Sequence, residues 1–473
     1  MPRLQHFVNG EFVESAGPTL KSVNPSDPDQ VIAEVPVGSI DEVKAAVDAA
    51  EAAFKNWSNT AGPSKAALFY KWAAAIEANK TELTQALVDE VGKPFGEAGG
   101  EVGRCVALLQ YFAGECVRTN GDVIPALVSG SLQYSLSVPI GPVALITPWN
   151  FPLAIPLWKA LPALAAGCTV VLKPSEMSGL CGQLLAKTAE QAGIPKGVFN
   201  VVQGDRTTGA ALIGCQAIKA VSFTGSAAAG KIIAGVCADR NIKCQTEMGG
   251  KNAAIVLADA DLDKAASLVA QGAMRFAGQK CTATSRVIVV KEVKEAFLEK
   301  LKAHIEGLAL GLPNQPATAV GPVISEASYA KLSNVIAELG DRAWQPKFEK
   351  PATGWFIPST LVIDAQAEES ISQNELFGPV LAVIEATDIE DAIAKANNVE
   401  FGLSAALFST NIASALSYIH KIEAGMVRVN GDTTGVDPHA PFGGMKGSSS
   451  HSREQGTEGI RFYQEIKTVQ INP

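Results

Sequence analysis

The segment Phe276-Ala277-Gly278-Gln279-Lys280-Cys281-Thr282-Ala283-Thr284-Ser285-Arg286 sets a thiol after Gly-Gln and before small polar residues. Free cysteine is among the most buried residue types, and the other seven cysteines read as such. Cys281 instead reads as a presented nucleophile, able to attack an electrophilic carbon and carry it as a thioester. Earlier in the chain stands Glu247-Met248-Gly249-Gly250-Lys251-Asn252, a carboxylate beside two glycines that let backbone or ligand come close. A thiol and a carboxylate can divide acylation and hydrolysis between them. Glu247 also has an ordinary alternative, a solvated pair with Lys243 or Lys251. Asn150, between Pro148 and Pro152, is equally compatible with plain turn chemistry.

These residues need a scaffold, and the hydrophobic pattern supplies one. From Ser39 to about Cys116 apolar residues recur at helical spacing, with Asp41, Pro63 and Thr81 near helix starts. From Gly141 to Asp259 short β-branched runs alternate with helical stretches. The strands expected are Val143 to Thr147, Thr169 to Leu172, Val198 to Val202, Ala220 to Phe223 and Ala253 to Ala258, and such alternation implies a parallel, doubly wound sheet. A second α/β succession is expected after Cys281, with strands at Arg286 to Val290, Val380 to Glu385, Ala405 to Phe408 and Met426 to Asn430. Gly121 to Pro139 and the terminal strand Lys467 to Asn472 find no evident local partner, which predicts exchange between subunits.

The 473 residues, 47% hydrophobic and 18% charged, suit two or three globular domains. A net charge of −9 leaves no basic footprint for nucleic acid or anionic lipid. No apolar run reaches the ~18 residues that span a bilayer. Eight cysteines without CxxC pairs, behind an opening that reads as a hairpin rather than a secretory segment, predict a cytoplasmic protein with reduced thiols. The five histidines are scattered without metal-ligand spacing, so no metal is expected; His439 is read as a loop histidine that could also line a pocket.

Together with Pro148-Trp149-Asn150-Phe151-Pro152, Lys173-Pro174-Ser175-Glu176, Phe223-Thr224-Gly225-Ser226, Glu375-Leu376-Phe377-Gly378-Pro379 and Pro441-Phe442-Gly443-Gly444, these segments resemble the aldehyde dehydrogenase superfamily in its own order. The resemblance covers essentially the whole chain; Met248 stands where relatives commonly carry Leu, a swap that keeps volume and apolarity. It implies two doubly wound α/β domains with a small β oligomerisation element. Residues 1–117 and 140–249 would form the dinucleotide-binding domain, 250–446 the catalytic domain, and 118–139 with 447–473 the oligomerisation element. A homo-oligomer, dimer or tetramer, is implied.

The resemblance also implies an activity: oxidation of an aldehyde to an acid with NAD or NADP. Cys281 would form a thiohemiacetal and then a thioester, Glu247 would activate the hydrolytic water, and Asn150 with the Cys281 N–H would form an oxyanion hole. The cofactor residues implied are Thr147, Pro148, Trp149, Lys173, Ser175, Glu176, Gly204, Phe223, Gly225, Ser226, Gly230, Glu375 and Phe377. A GxGxxG fingerprint is absent, and Gly-Ser before a helix is weak evidence alone because Ser226 is also a good N-cap. Glu176 suits a ribose 2′-hydroxyl while Lys173 and Ser175 suit a 2′-phosphate, so both cofactors stay open.

Within the superfamily, Arg275 to Arg286 and Gly443 to Gly456 look like the 2-oxoglutarate semialdehyde (2,5-dioxopentanoate) dehydrogenases, with succinate and glutarate semialdehyde enzymes, or a general aliphatic or aromatic aldehyde dehydrogenase, as alternatives. A distal carboxylate asks for a cation. Arg104 is the candidate, in a stretch that in the family lines the substrate tunnel with the positions of Phe151, Trp158 and Phe442; Arg275 is second. Arg104 has an ordinary alternative as an intrahelical pair with Glu97 or Glu101. Three other functions compete. Acyl transfer to coenzyme A would not need Glu247; a silent structural relative would be expected to lose some of Cys281, Glu247, Asn150 or Lys173; a thiol hydrolase needs a histidine base.

Overall fold

The apolar runs become the centres of two seven-stranded sheets. The computed structural model describes every residue except Met1 and Thr119, so those two positions of the expected ranges 1–117 and 118–139 lie outside the described residues. In the first sheet Lys243–Glu247, Ala220–Thr224, Pro142–Ile146, Thr169–Lys173 and Phe199–Val201 run parallel in that order. The hairpin His6–Val8 and Glu11–Val13 extends it antiparallel. Asn9 and Gly10 make the two-residue turn with φ of 53° and 78°, the twist that tight hairpins favour.

Pro142–Ile146, Thr169–Lys173 and Ala220–Thr224 are buried throughout, as continuous apolar runs must be when helices cover both faces. Ala154–Ala166 and Gly179–Gln191 pack on one face; Ile40–Ser58, Arg206–Gly214 and Ala227–Asp239 pack on the other. Ser39 starts the first of these helices with a capping box to Glu42. The expected helical scaffold continues as Gly62–Ala78, Lys80–Val91 and Phe95–Glu115. Strand order reverses between Pro142–Ile146 and Ala220–Thr224, and a crevice beyond the carboxyl ends at such a reversal is where doubly wound sheets take ligands.

The second sheet runs Ala343–Trp344, Thr360–Val362, Val380–Ala386, Thr284–Val290, Asn252–Val256, Ser404–Phe408, Met426–Val429, parallel except for its first strand. One expectation is corrected here. The run near Ala253 stands inside this sheet, so the second α/β succession begins before Cys281. The edge of the first sheet is filled instead by Lys243–Glu247, a polar strand that carries no apolar run.

A second correction concerns the two strands expected to lack partners. Leu132–Pro139 pairs antiparallel with Gln464–Ile471 in the same chain, from Gln464↔Pro139 to Ile471↔Leu132, and Val123–Ile124 adds a third strand. Their separation in sequence hid a partnership that needs no exchange. Among the described residues no helix is long and apolar enough to cross a membrane.

Candidate active site

Cys281 sits in the loop that leads into the strand Thr284–Val290, half-buried against Leu403, Met426 and Phe442. Three consecutive left-handed residues precede it: Phe276, Ala277 and Gly278, with φ of 55°, 52° and 66°. Non-glycine residues in that region cost on the order of 1–3 kcal/mol each and persist only where the surroundings impose them. Gln279 imposes them here. Its side chain donates to Phe276 O and Pro322 O and accepts from Ile324 N. Asn252 Nδ2 holds the Cys281 carbonyl at 2.9 Å, and Gly250 is glycine because a Cβ would lie 2.8 Å from that carbonyl. Burial, with the negative charges of Glu375, Glu247 and Glu454, pushes the Cys281 thiol up to about 12. At neutral pH it therefore keeps its proton until a base takes it.

Glu247 ends the strand Lys243–Glu247 and is buried, which removes the surface-pair reading. Lys243 pairs with Glu465 instead. Ser449 Oγ donates to Glu247 Oε2 at 2.5 Å, while Oε1 has no partner. Burial first, then the charge of Glu454, holds the Glu247 carboxyl well above the usual carboxylate range. Behind it Lys159 is ion-paired with Glu454 and donates to Ser222 Oγ. Neither member of this pair was singled out from the sequence. Lys159 left a signal, a lone charge in the apolar helix Ala154–Ala166; Glu454, in a polar loop, left none.

Asn150 follows the strand Pro142–Ile146 and is buried, its Nδ2 donating to Gln279 O at 3.0 Å and its Oδ1 accepting from Phe151 N. The amide thus reaches the loop that carries Cys281. Trp149 meets Phe377 edge-on at 5.6 Å, and Phe377 has a left-handed φ of 59°. Glu375 Oε1 accepts from Gly250 N at 3.0 Å, and a Cβ at Gly249 would collide with the Glu375 carboxylate. Asn150, Glu247, Cys281 and Glu375 therefore converge from both sheets.

At the strand-order reversal, Thr147 Oγ1 and Thr224 Oγ1 are buried without partners. Lys173 Nζ stands 3.6 Å from Glu176, and Ser175 caps the turn between them through Met177 N. Ser226 caps the helix Ala227–Asp239, whose positive end opens on the same crevice. Orphaned hydroxyls, a cation and a helix N-terminus fit a dinucleotide. Gly225 and Gly230 have a packing reason as well: a Cβ at Gly225 would strike the Phe223 ring, and one at Gly230 the Met248 sulfur, each at 2.5 Å. Gly204 has φ 146° and leaves room for Thr208.

A cavity of about 460 Å³, reached by the residues on either side of Cys281 in sequence, is lined by Glu97, Arg104, Phe151, Arg275, Lys280 and Thr282. Arg104 is half-buried, donates to Gln455 Oε1 at 3.0 Å and lies 5.8 Å from the Trp158 ring; Trp158 in turn packs on Phe442 at 5.2 Å. The intrahelical pair expected as its alternative does not form. Glu101 pairs with Lys93, Glu97 with Lys280 at 2.8 Å and Arg275 at 3.8 Å, and no carboxylate within the described residues pairs with Arg104. His439 lies against Tyr111, off this cavity. No group of three His, Cys, Asp or Glu among the described residues could hold a metal ion.

The model of the aldehyde dehydrogenase family matches residues 12–469. The alpha-ketoglutaric semialdehyde dehydrogenase of Bacillus subtilis is 41% identical, over 99% of this chain and 98% of the relative. The alpha-ketoglutarate semialdehyde dehydrogenase of Haloferax volcanii is 39% identical, over 98% of each. The crystal structure of an NAD-dependent aldehyde dehydrogenase from Sinorhizobium meliloti superposes with a TM-score of 0.96 at 37% identity, covering 99% of this chain and 95% of that one. The chain belongs to the aldehyde dehydrogenase family.

Proposed function

We propose that this NAD(P)-dependent aldehyde dehydrogenase oxidises an ω-carboxylated semialdehyde of the 2-oxoglutarate semialdehyde (2,5-dioxopentanoate) type to its acid. The observation that carries the substrate is Arg104, a half-buried guanidinium on the cavity wall with which no acid among the described residues forms an ion pair. A guanidinium in that position suits a two-pronged contact with a carboxylate. Arg275, exposed and shared with Glu97, suits it less. The activities named for the Bacillus and Haloferax relatives support the same class.

In this reading Cys281 gives up its proton to Glu247 or water and adds as thiolate to the aldehyde carbon, Asn150 Nδ2 and the Cys281 N–H donate to the oxyanion, and departure of hydride from that carbon leaves the thioester. Nicotinamide, when bound, would supply the hydride acceptor. Glu247, whose charge reaches the Cys281 thiol and whose Oε1 has no partner, draws a proton from water to release the thioester as acid. Lys173, Ser175 and Glu176 would hold the adenine ribose, Ser226 and its helix the pyrophosphate, and Glu375 with Phe377 the nicotinamide ribose. Thr147, Pro148, Trp149, Gly204, Phe223, Gly225 and Gly230 would shape that crevice. Phe151, Trp158 and Phe442 would line the aldehyde's path.

The two sheets support a dinucleotide-binding domain of 1–117 and 140–249 and a catalytic domain of 250–446, with 118–139 and 447–473 for assembly. Exposed Val123 (79%) and Ile466 (73%) on the small sheet, with Leu127 (100%) in the loop that joins two of its strands, support a homo-oligomer. Eight unpaired cysteines accord with a cytoplasmic setting. The test is initial rates on a panel of aldehydes with and without a distal carboxylate, each with NAD and with NADP. Highest kcat/KM on the carboxylated semialdehydes is expected; a preference for hexanal over all of them would overturn the substrate reading.

A further inference from the structure

Lys93 and Glu101 form an ion pair with both side chains wholly buried, and neither has a role in the chemistry above. Lys93 follows Gly92, the left-handed cap that ends the helix Lys80–Val91, and Glu101 lies on the helix Phe95–Glu115. The Lys93 ammonium donates to Asn150 O at 2.6 Å. It also lies 3.8 Å from the centre of the Phe151 ring and 4.6 Å from that of Phe276. Glu101 Oε1 accepts from Leu153 N and Ala154 N, both at 3.0 Å, where the helix Ala154–Ala166 begins.

These contacts fall on two segments only. One is Asn150 to Ala154; the other is the left-handed turn at Phe276 that leads to Cys281. Burying two charges is costly, and apolar side chains of the same volume often stabilise a core as well or better, so stability alone does not account for the pair. A cation held between a backbone carbonyl and two aromatic faces fixes direction as well as distance, which apolar packing does not.

We infer that Lys93 and Glu101 are positioning residues for the oxyanion site, setting the Asn150 amide against Cys281 from behind. The inference rests on the reading of Asn150 as oxyanion donor. Loss of the pair then slows attack on the aldehyde chiefly through Asn150, with a smaller share through Phe151 and the turn at Phe276.

The experiment is a double-mutant cycle on the pre-steady-state rate of NAD(P)H formation, with wild type, Asn150→Ala, Lys93→Met and the double variant. Asn150→Ala alone tests the underlying reading and should slow the burst roughly 10²- to 10³-fold. Lys93→Met should slow it about ten- to a hundredfold, with aldehyde and cofactor KM unchanged, as misplacement by an ångström does. In the Asn150→Ala background Lys93→Met should cost less than about threefold, because residues acting as one unit are not additive. Additive losses, or no loss from Lys93→Met, would overturn the inference and leave the role of Asn150 standing. Should Lys93→Met not fold, Glu101→Gln carries the same cycle, since it removes the carboxylate charge that holds Lys93 and keeps an acceptor for Leu153 and Ala154.

Discussion

Lys159 and Glu454 form a buried ion pair behind Glu247, tying the helix Ala154–Ala166 to the loop before the C-terminal helix Gly456–Phe462. The pair bears on Glu247 directly. Glu454 adds to burial in holding the Glu247 carboxyl high, while Lys159 opposes it.

Glu454→Gln should therefore move the pH dependence of turnover. Glu247 titrates above the ~4.3 of an unperturbed glutamate, so its basic form, and hydrolysis with it, grows as pH rises past that range. Removing the Glu454 charge leaves Lys159 unopposed, and the acidic limb of kcat against pH should shift to lower pH without reaching the ordinary value, because burial remains. Breaking a buried pair should also cost about 3–5 kcal/mol of stability, read as a lowered Tm. A limb that stays put or moves upward would show that Glu454 does not act on Glu247.

Glu247→Gln should separate the two half-reactions. Hydride transfer survives as a burst of NAD(P)H no larger than the concentration of active sites, then turnover slows as the thioester waits for water. An unchanged steady rate with no burst would mean that another group serves as base.

Arg104→Leu tests the substrate end. Loss of a charged hydrogen bond costs on the order of 1.5–3 kcal/mol, so kcat/KM for ω-carboxylated semialdehydes should fall roughly ten- to a hundredfold. Hexanal should fall far less. Equal losses on both would mean that Arg104 supports its helix through Gln455 and Trp158 and reads no carboxylate.

Local signals in the sequence carried far. The helix start read near Asp41, which the structure closes with a capping box between Ser39 and Glu42, and the β-branched runs at Val143 and Val170 specify helix and strand wherever tertiary contacts agree with them. Cys281, Glu247 and Asn150 were set apart by the glycines or prolines around them, but their expected roles came from the resemblance of those segments to the aldehyde dehydrogenase superfamily. What stayed hidden depends on distant partners. Lys159 and Glu454 are separated by 295 positions, and Lys93 meets Asn150 across 57. The edge strand Lys243–Glu247 is polar and forms because Ala220–Thr224 offers it a full register. The partnership of Gln464–Ile471 with Leu132–Pro139 likewise belongs to the fold and to no local pattern.

The central claim is that oxidation passes through an acyl group on Cys281 that Glu247 releases. Intact and peptide mass spectra of Glu247→Gln, quenched after one burst with 2-oxoglutarate semialdehyde and NAD(P), test it most directly. The account predicts one acyl adduct per active subunit, on the peptide containing Cys281, and neither adduct nor burst in Cys281→Ala. A full burst with no adduct on that peptide, or oxidation that persists in Cys281→Ala, would contradict it.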